Sequence, residues 1–176
     1  MRSRTIEQVY GRNPVLEALR AGRPLNKILV GRGERRGSIH QILALAREAH
    51  VPVIEVDPRE LAELTGGANH QGVLAQASPQ QYVELEDIIA VARERGEDPL
   101  VVVLDGIEDP QNLGSLIRTA EAAGAHGVVI PKRRAAGLTE TVARVSAGAI
   151  EYLPVARVGN ISQALTDLKD AGCWVV

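Results

Sequence analysis

The chain has 176 residues, 45% hydrophobic and 24% charged, with a net charge of −2; no apolar run is long enough to span a bilayer, and the charged N-terminus lacks the apolar stretch of a secretory signal. The one cysteine, Cys173, excludes an internal disulfide and a cysteine-built zinc site, in keeping with a reducing cytoplasm, and 2% aromatic content without Phe argues against folds that stack bases on aromatic platforms. Residues 1–50 hold ten Lys/Arg against four Asp/Glu, whereas residues 51–176 hold ten against eighteen, so a basic first part suited to a polyanion precedes an acidic remainder, unless the asymmetry is only solvated surface.

Helix and strand signals alternate along the chain. Asn13-Pro14 predicts a helix start with Asn as cap and Pro first, Val15, Leu16 and Leu19 as its apolar stripe, and Gly22 as its stop. Lys27–Val30 reads as a strand. Ser38 caps a helix bearing Ile39, Ile42, Leu43 and Ala46, and the Gly31–Gly37 stretch before it reads as a basic flexible loop, not a GxGxxG dinucleotide site. Val51–Val56 is a strand, Asp57-Pro58 opens a short helix, and Gly72–Ala75 is another strand. Residues 78–86 are polar with a proline and read as a linker, followed by a helix over 87–95. Leu100–Leu104 (LVVVL) predicts a strand buried on both faces of a parallel sheet. A helix from Asn112, a strand at 128–130, a helix at 139–147, a strand near 153–155, a helix at 161–169 and a last strand at 173–176 follow. The expected fold is α/β with a mostly parallel sheet, in three stretches: 1–77, a linker and first helix over 78–99, and 100–176. A chain ending inside a core strand implies that further residues belong after Val176.

The chemistry concentrates in residues 104–124, LDGIEDPQNLGSLIRTAEAAG. A strand ends at Asp105-Gly106, and Asn112 is read as the cap of the next helix. Ligands bind beyond the carboxyl ends of strands in open α/β sheets, and a helix N-terminus attracts phosphate. Leu113, Leu116, Ile117 and Ala120 form the buried stripe. Gly114 and Arg118 lie four apart on another face, so the glycine is expected to leave room for the guanidinium to reach a phosphate at the helix mouth. The same pattern suits an ordinary amphipathic helix with a surface arginine and a packing glycine.

The string LDGIEDPQNLGSLIRTAEAAGAHGVVIP resembles the first signature motif of the SpoU (TrmH-like) RNA 2′-O-ribose methyltransferases of the SPOUT superfamily, and RRAAGLTETVARVSAGAIEYLPVARVGN continues the likeness. YGRNPVLEAL and ANHQGVLA resemble that family's substrate-binding domain. The nearest likeness is to the subfamily that methylates a guanosine of 23S ribosomal RNA, with a tRNA-modifying relative as the alternative. The resemblance implies a small N-terminal α/β substrate-binding domain over 1–77, then an incomplete SPOUT α/β (trefoil-knot) domain over 100–176 lacking its knotted C-terminus. It implies S-adenosyl-L-methionine as cofactor, ribosomal RNA as partner, a cytoplasmic homodimer, and no membrane or metal. The cofactor-binding motifs would lie beyond Val176, so this fragment is expected to be inactive and its dimerisation is left open.

By the same resemblance Arg118 and Asn112 are the catalytic candidates. A ribose 2′-hydroxyl must lose its proton as the methyl group arrives. Guanidinium groups stay protonated in proteins, so Arg118 is read as orienting phosphate and stabilising charge, not as a base. Asn112 caps the helix, positions Arg118 or meets the ribose. Candidate RNA contacts are Tyr10, Arg12, Asn69, His70, Gln71, Gly114, Lys132, Arg133 and Ser146. Each has a plain alternative: Lys132–Arg134 as a solvated run, Ser146-Ala147-Gly148 as helix packing, and His70 as a structural turn residue. His40, His50 and His126 lack partners at metal spacing. Two competing readings remain: a non-catalytic RNA-binding module, and a small-molecule α/β enzyme. The second is disfavoured by the lack of a P-loop, GxGxxG or metal-ligand spacing.

Overall fold

A computed structural model describes residues 7–34 and 37–176, and the chain divides into two units, Met1–Gln80 and Gln81–Val176. The charged start of the chain, residues 1–6, and the arginines at 35 and 36 of the basic loop lie outside the described residues.

In the first unit four strands form a mixed sheet, β1 (Glu7–Tyr10), β2 (Leu25–Gly31), β3 (Val53–Val56) and β4 (Val73–Ala77), in the order β1-β4-β2-β3. β4 runs antiparallel to both neighbours, and only β2 and β3 are parallel. The period of two sends alternate residues to opposite faces. Val9, Ile28, Val30, Val73 and Ala75 meet α1 (Arg12–Arg20) and α2 (Ile39–Glu48) through Val15, Leu16, Leu19, Ile39, Ile42 and Ala46. Tyr10, Leu29 and Leu74 face the other way, with Val56 and Leu61 of α3 (Pro58–Leu64).

Asp57 caps α3 as expected, accepting the Arg59 N–H at 2.9 Å. α1 begins earlier than expected. Gly11 is its cap, at φ 94, a conformation natural to glycine, so Asn13 and Pro14 fall inside the first turn. Ser78 and Gln80, expected in the linker, belong to this unit. The Glu7 carboxylate accepts from Arg23 at 2.7 Å and from the Gln80 N–H at 3.0 Å, and Arg23 also donates to the Ser78 carbonyl.

The second unit is a three-stranded parallel sheet in the order β5 (Val101–Val103), β6 (Gly127–Pro131), β7 (Val155–Val158). α4 (Leu85–Arg95) and α7 (Ile161–Asp170) cover one face through Ile88, Ile89, Ala164 and Leu168 against Val129 and Ala156. α5 (Pro110–Ala122) and α6 (Glu140–Val145) cover the other, against Val128, Ile130 and Val155. A short 3-10 turn (Ala149–Glu151) leads from α6 toward β7.

Three expectations are corrected here. The strand buried on both faces is β6, all five residues of which are buried; LVVVL forms the edge strand, and Val101–Val103 are only half-buried. Cys173–Val176 forms no strand, because it joins no ladder, and Trp174 is 95% exposed. α4 starts at Leu85, where the Glu84 N–H donates to Asp87 at 2.9 Å, so the last three residues of the expected linker, Glu84 to Glu86, are helix cap or helix. No described helix is long and apolar enough to cross a membrane.

Candidate nucleic-acid interface

In the second unit the loops at the carboxyl ends of the strands meet. The Ala136 N–H after β6 donates to the Ile107 carbonyl after β5 at 2.8 Å, and the Lys132 N–H donates to the Val158 carbonyl at the end of β7. From this rim α5 departs. Its cap is Asp109, which accepts the Gln111 N–H at 2.8 Å, with Pro110 as first residue. The cap expected at Asn112 is thereby corrected: the Asp-Pro pair fills those positions, and Asn112 stands third in the helix with its side chain exposed. Leu113, Ile117 and Ala120 are buried in the core.

Arg118 is exposed and has no hydrogen-bond or ion-pair partner among the described residues. It is the ninth residue of α5. At ~1.5 Å per residue its Cα lies roughly 12 Å from the helix start, farther than the mouth expected at Asn112 would put it.

Gly114 does not leave space for Arg118. It is buried, and a β-carbon there would meet Val145 Cβ at 2.8 Å and the Val142 carbonyl at 3.0 Å. The glycine lets α6 approach α5, and so has no surface to offer RNA. Ser146 is likewise corrected. It is 1% exposed, and its hydroxyl donates to the Ala143 carbonyl at 3.0 Å, closing the end of α6. Ala147, which follows at φ 53, is exposed.

Lys132 and Arg133 are exposed beyond β6, and their side chains have no partner among the described residues. Sequence reasoning missed two neighbours. The Arg157 guanidinium donates to the Lys132 carbonyl at 3.0 Å and lies 5.1 Å from the Tyr82 ring centre. The Tyr82 hydroxyl accepts the Leu138 N–H at 3.0 Å. Together they brace the 132–138 loop. An aromatic residue inside an otherwise polar stretch was the available signal at Tyr82; Arg157 had none. A groove of about 390 Å³ lies alongside, lined by Glu84, Glu86, Lys132, Arg157, Asn160 and Asp167 among others.

In the first unit four candidates converge on one turn. Gln71 takes φ 51 and Gly72 φ 80. The Arg12 N–H donates to Gln71 Oε1, and Arg12 Nε donates to the Gln71 carbonyl, each at 3.0 Å. The Gly72 N–H donates to His70 Nδ1 at 3.0 Å, which places the neutral ring's proton on Nε2. Asn69 is exposed, and its side chain has no partner among the described residues. Tyr10 is corrected: at 8% exposure its ring belongs to the core against Leu29, Leu61 and Leu74, because its β1 position faces α3. Sequence reasoning also missed Glu34, whose carboxylate meets Arg12 at 2.9 Å.

Residues 8–83 match the family model for RNA 2′-O ribose methyltransferase substrate binding, and residues 99–176 match the model for the SpoU rRNA methylase family. The Bacillus subtilis protein YacO, named for the TrmH family of tRNA/rRNA methyltransferases, is 45% identical over 97% of this chain and 68% of its own length. A Synechocystis protein, slr0955, named as a tRNA/rRNA methyltransferase, is 44% identical over 97% of this chain and 44% of its own length. The SpoU methyltransferase AviRb of Streptomyces viridochromogenes, solved with AdoMet, superposes at a TM-score of 0.73 with 26% identity, over 94% of this chain and 58% of that one. An AdoMet-bound rRNA methyltransferase of Sinorhizobium meliloti gives 0.71 and 25%, over 94% and 59%. The chain belongs to the SpoU (TrmH) family of RNA methyltransferases. It spans about three fifths of these solved chains.

Proposed function

We propose that this chain grips RNA for S-adenosylmethionine-dependent methylation of a ribose 2′-hydroxyl, with ribosomal RNA as substrate. The observation that carries the reading is Arg118: exposed, unpaired among the described residues, and on the helix that leaves the carboxyl-end rim of the sheet. An arginine kept for stability would be paired or packed. One held free suits a phosphate, which it can take bidentately. Asn112, six residues earlier and also exposed, is the second candidate contact. Lys132 and Arg133 add cations beyond β6, and Asn69, His70 and Gln71 offer hydrogen bonds to unpaired bases. The resemblance to proteins that act on rRNA favours ribosomal RNA over tRNA, and a guanosine of 23S rRNA is the specific target proposed. Homodimerisation belongs to the same proposal and is tested by sedimentation.

The described residues do not fit the cofactor. An adenosine needs an enclosed, mostly apolar cradle with a few placed polar groups. The 390 Å³ groove is lined by five charged side chains. A second crevice, beside Leu100–Val103 and residues 173–176, has apolar walls, but at about 200 Å³ it falls below the ~300 Å³ of a small-molecule site and lacks charged or amide side chains to fix a ligand. The full-length protein is accordingly proposed to be longer than this chain and to supply the cofactor pocket, and this chain alone is proposed to be inactive. The test uses labelled S-adenosylmethionine and bacterial ribosomal RNA, with the full-length protein beside this chain. Label in a 2′-O-methylnucleoside, lost in Arg118→Ala, is expected for the full-length protein. Turnover by the 176-residue chain, or methylation of a base, would overturn the proposal.

A further inference from the structure

The Glu34 carboxylate is out of place on a surface proposed to meet RNA. It is 40% exposed in the side chain, and a negative charge there repels phosphate. Its ion pair with Arg12, itself 26% exposed, adds little stability at such exposure. Yet Glu34 is engaged on two sides. Its carboxylate holds Arg12 at 2.9 Å, and its stem lies over Gly72, where a β-carbon would meet Glu34 Cγ at 2.7 Å. Arg12 in turn donates to the Gln71 carbonyl and, through its backbone, to the Gln71 side chain. The ring Glu34–Arg12–Gln71–Gly72 is thereby closed. Backbone bonds brace it from β2 and β4: Gly31 N–H to the Gly72 carbonyl at 2.9 Å, and Gly11 N–H to the Val73 carbonyl at 3.2 Å.

What the ring fixes is a turn that is costly on its own. Gln71 sits at φ 51, in the left-handed region that non-glycine residues avoid. Only while the turn keeps that shape does the Gly72 N–H reach His70 Nδ1, fixing the ring's orientation and leaving Nε2–H unbonded among the described residues. We propose that Glu34 is a positioning residue for RNA recognition: through Arg12 it locks the His70–Gln71–Gly72 turn so that Asn69 and His70 Nε2–H are presented as fixed hydrogen-bonding groups to an unpaired nucleotide. This rests on reading the first unit as an RNA-contacting surface. Arg12 is then a strut of the turn, not a phosphate contact. The gain to binding is preorganisation, since the turn is ordered before RNA arrives.

The sign of one substitution separates this role from simple electrostatics. Removing a carboxylate from a polyanion-binding surface should strengthen binding. A lost lock should weaken it, by about fivefold for one polar positioning contact. The experiment measures affinity of the full-length protein for protein-free bacterial ribosomal RNA, by filter binding across a salt series, with Glu34→Ala, Glu34→Gln, Arg12→Ala, the Arg12→Ala/Glu34→Ala double variant, Asn69→Ala and His70→Ala. Glu34→Gln keeps the stem over Gly72 and guards against a folding defect in Glu34→Ala. The expected result is weaker binding for both Glu34 variants, an unchanged salt slope, and a double variant no weaker than Arg12→Ala alone. The His70 ring-nitrogen resonances should shift in Glu34→Ala. Unchanged or tighter binding by both Glu34 variants, with Asn69→Ala and His70→Ala weakened, overturns the lock and leaves the RNA surface standing. Wild-type binding by all of them overturns the surface and the lock together.

Discussion

Gly114 of α5 and Val145 of α6 approach so closely that a β-carbon on the glycine would sit 2.8 Å from the valine Cβ. Helix backbones come this near only where one side chain is missing. The Val142 carbonyl, 3.0 Å from the same point, is backbone and cannot swing away. Gly114→Ala is therefore expected to destabilise by about 1–3 kcal/mol through overpacking, despite alanine's better helix propensity. Urea unfolding checks it. Val145→Ala in the same chain should recover only a little of the loss, because it removes Cγ1, 3.1 Å from the same point, and keeps the nearer Cβ.

Arg118→Ala separates function from stability. An exposed side chain with no partner contributes little to folding, so the melting curve should move by under about 0.5 kcal/mol. If the guanidinium stabilises charge near the reacting ribose, kcat of the full-length protein should fall by about 10²–10³. RNA affinity should drop modestly, with a salt slope smaller by about one. Arg118→Lys should recover the slope but not the rate, since a lysine lacks the fork that binds phosphate through two nitrogens. A rate within threefold of wild type in both variants would remove Arg118 from the site. Ser146→Ala is the contrasting control: its hydroxyl is buried on Ala143, so RNA affinity should be unchanged.

These outcomes mark how far the chain could be read without coordinates. Strong periodicity placed every helix within a few residues, and Asp57 declared its cap because Asp-Pro leaves little choice. The same Asp-Pro logic holds at Asp109-Pro110, and taking Asn112 as the cap sets the helix mouth three residues too close to Arg118. The apolar run LVVVL does not say whether a neighbour exists on both sides; β6, which begins at Gly127 and ends at Pro131, is the strand flanked on both. Gly127 is needed because Ile88 fills the space a β-carbon would take, at 2.6 Å, a contact between residues 39 apart in sequence. Exposure of Arg118 was legible; the partner of Gly114 and the ring through Glu34 were not, because both depend on long-range packing that no local pattern encodes.

His126, which sequence spacing left without a role, joins two segments of the second unit. Its side chain is 2% exposed, Nδ1 accepts the Leu100 N–H at 3.0 Å, and Nε2 meets Glu97 at 2.9 Å. With Nδ1 accepting, the ring's proton lies on Nε2 and is donated to the carboxylate. His126→Ala leaves the Leu100 amide without its partner and opens a cavity beside the start of β5. A loss of about 2 kcal/mol is expected. Amide exchange should report it locally: the Leu100 N–H should exchange much faster in the variant, while amides in the first unit keep their rates.

The Arg23–Glu7 pair should respond asymmetrically. The two side chains are 5% and 11% exposed and 2.7 Å apart, and Arg23 also holds the Ser78 carbonyl. Glu7 Oε1 has no partner among the described residues, so its carboxylate leans on Oε2, shared between Arg23 and the Gln80 amide. Arg23→Ala strands a buried negative charge and frees the Ser78 carbonyl together, and should cost about 3–5 kcal/mol. Glu7→Ala leaves Arg23 still bonded to Ser78 and should cost distinctly less. A Glu7→Leu/Arg23→Met double replacement removes both charges at similar volume and should recover most of the loss, as buried pairs replaced by apolar side chains often do. Chemical denaturation of the four proteins tests the order; equal losses for the two single variants would mean that the pair, not the stranded carboxylate, sets the energy.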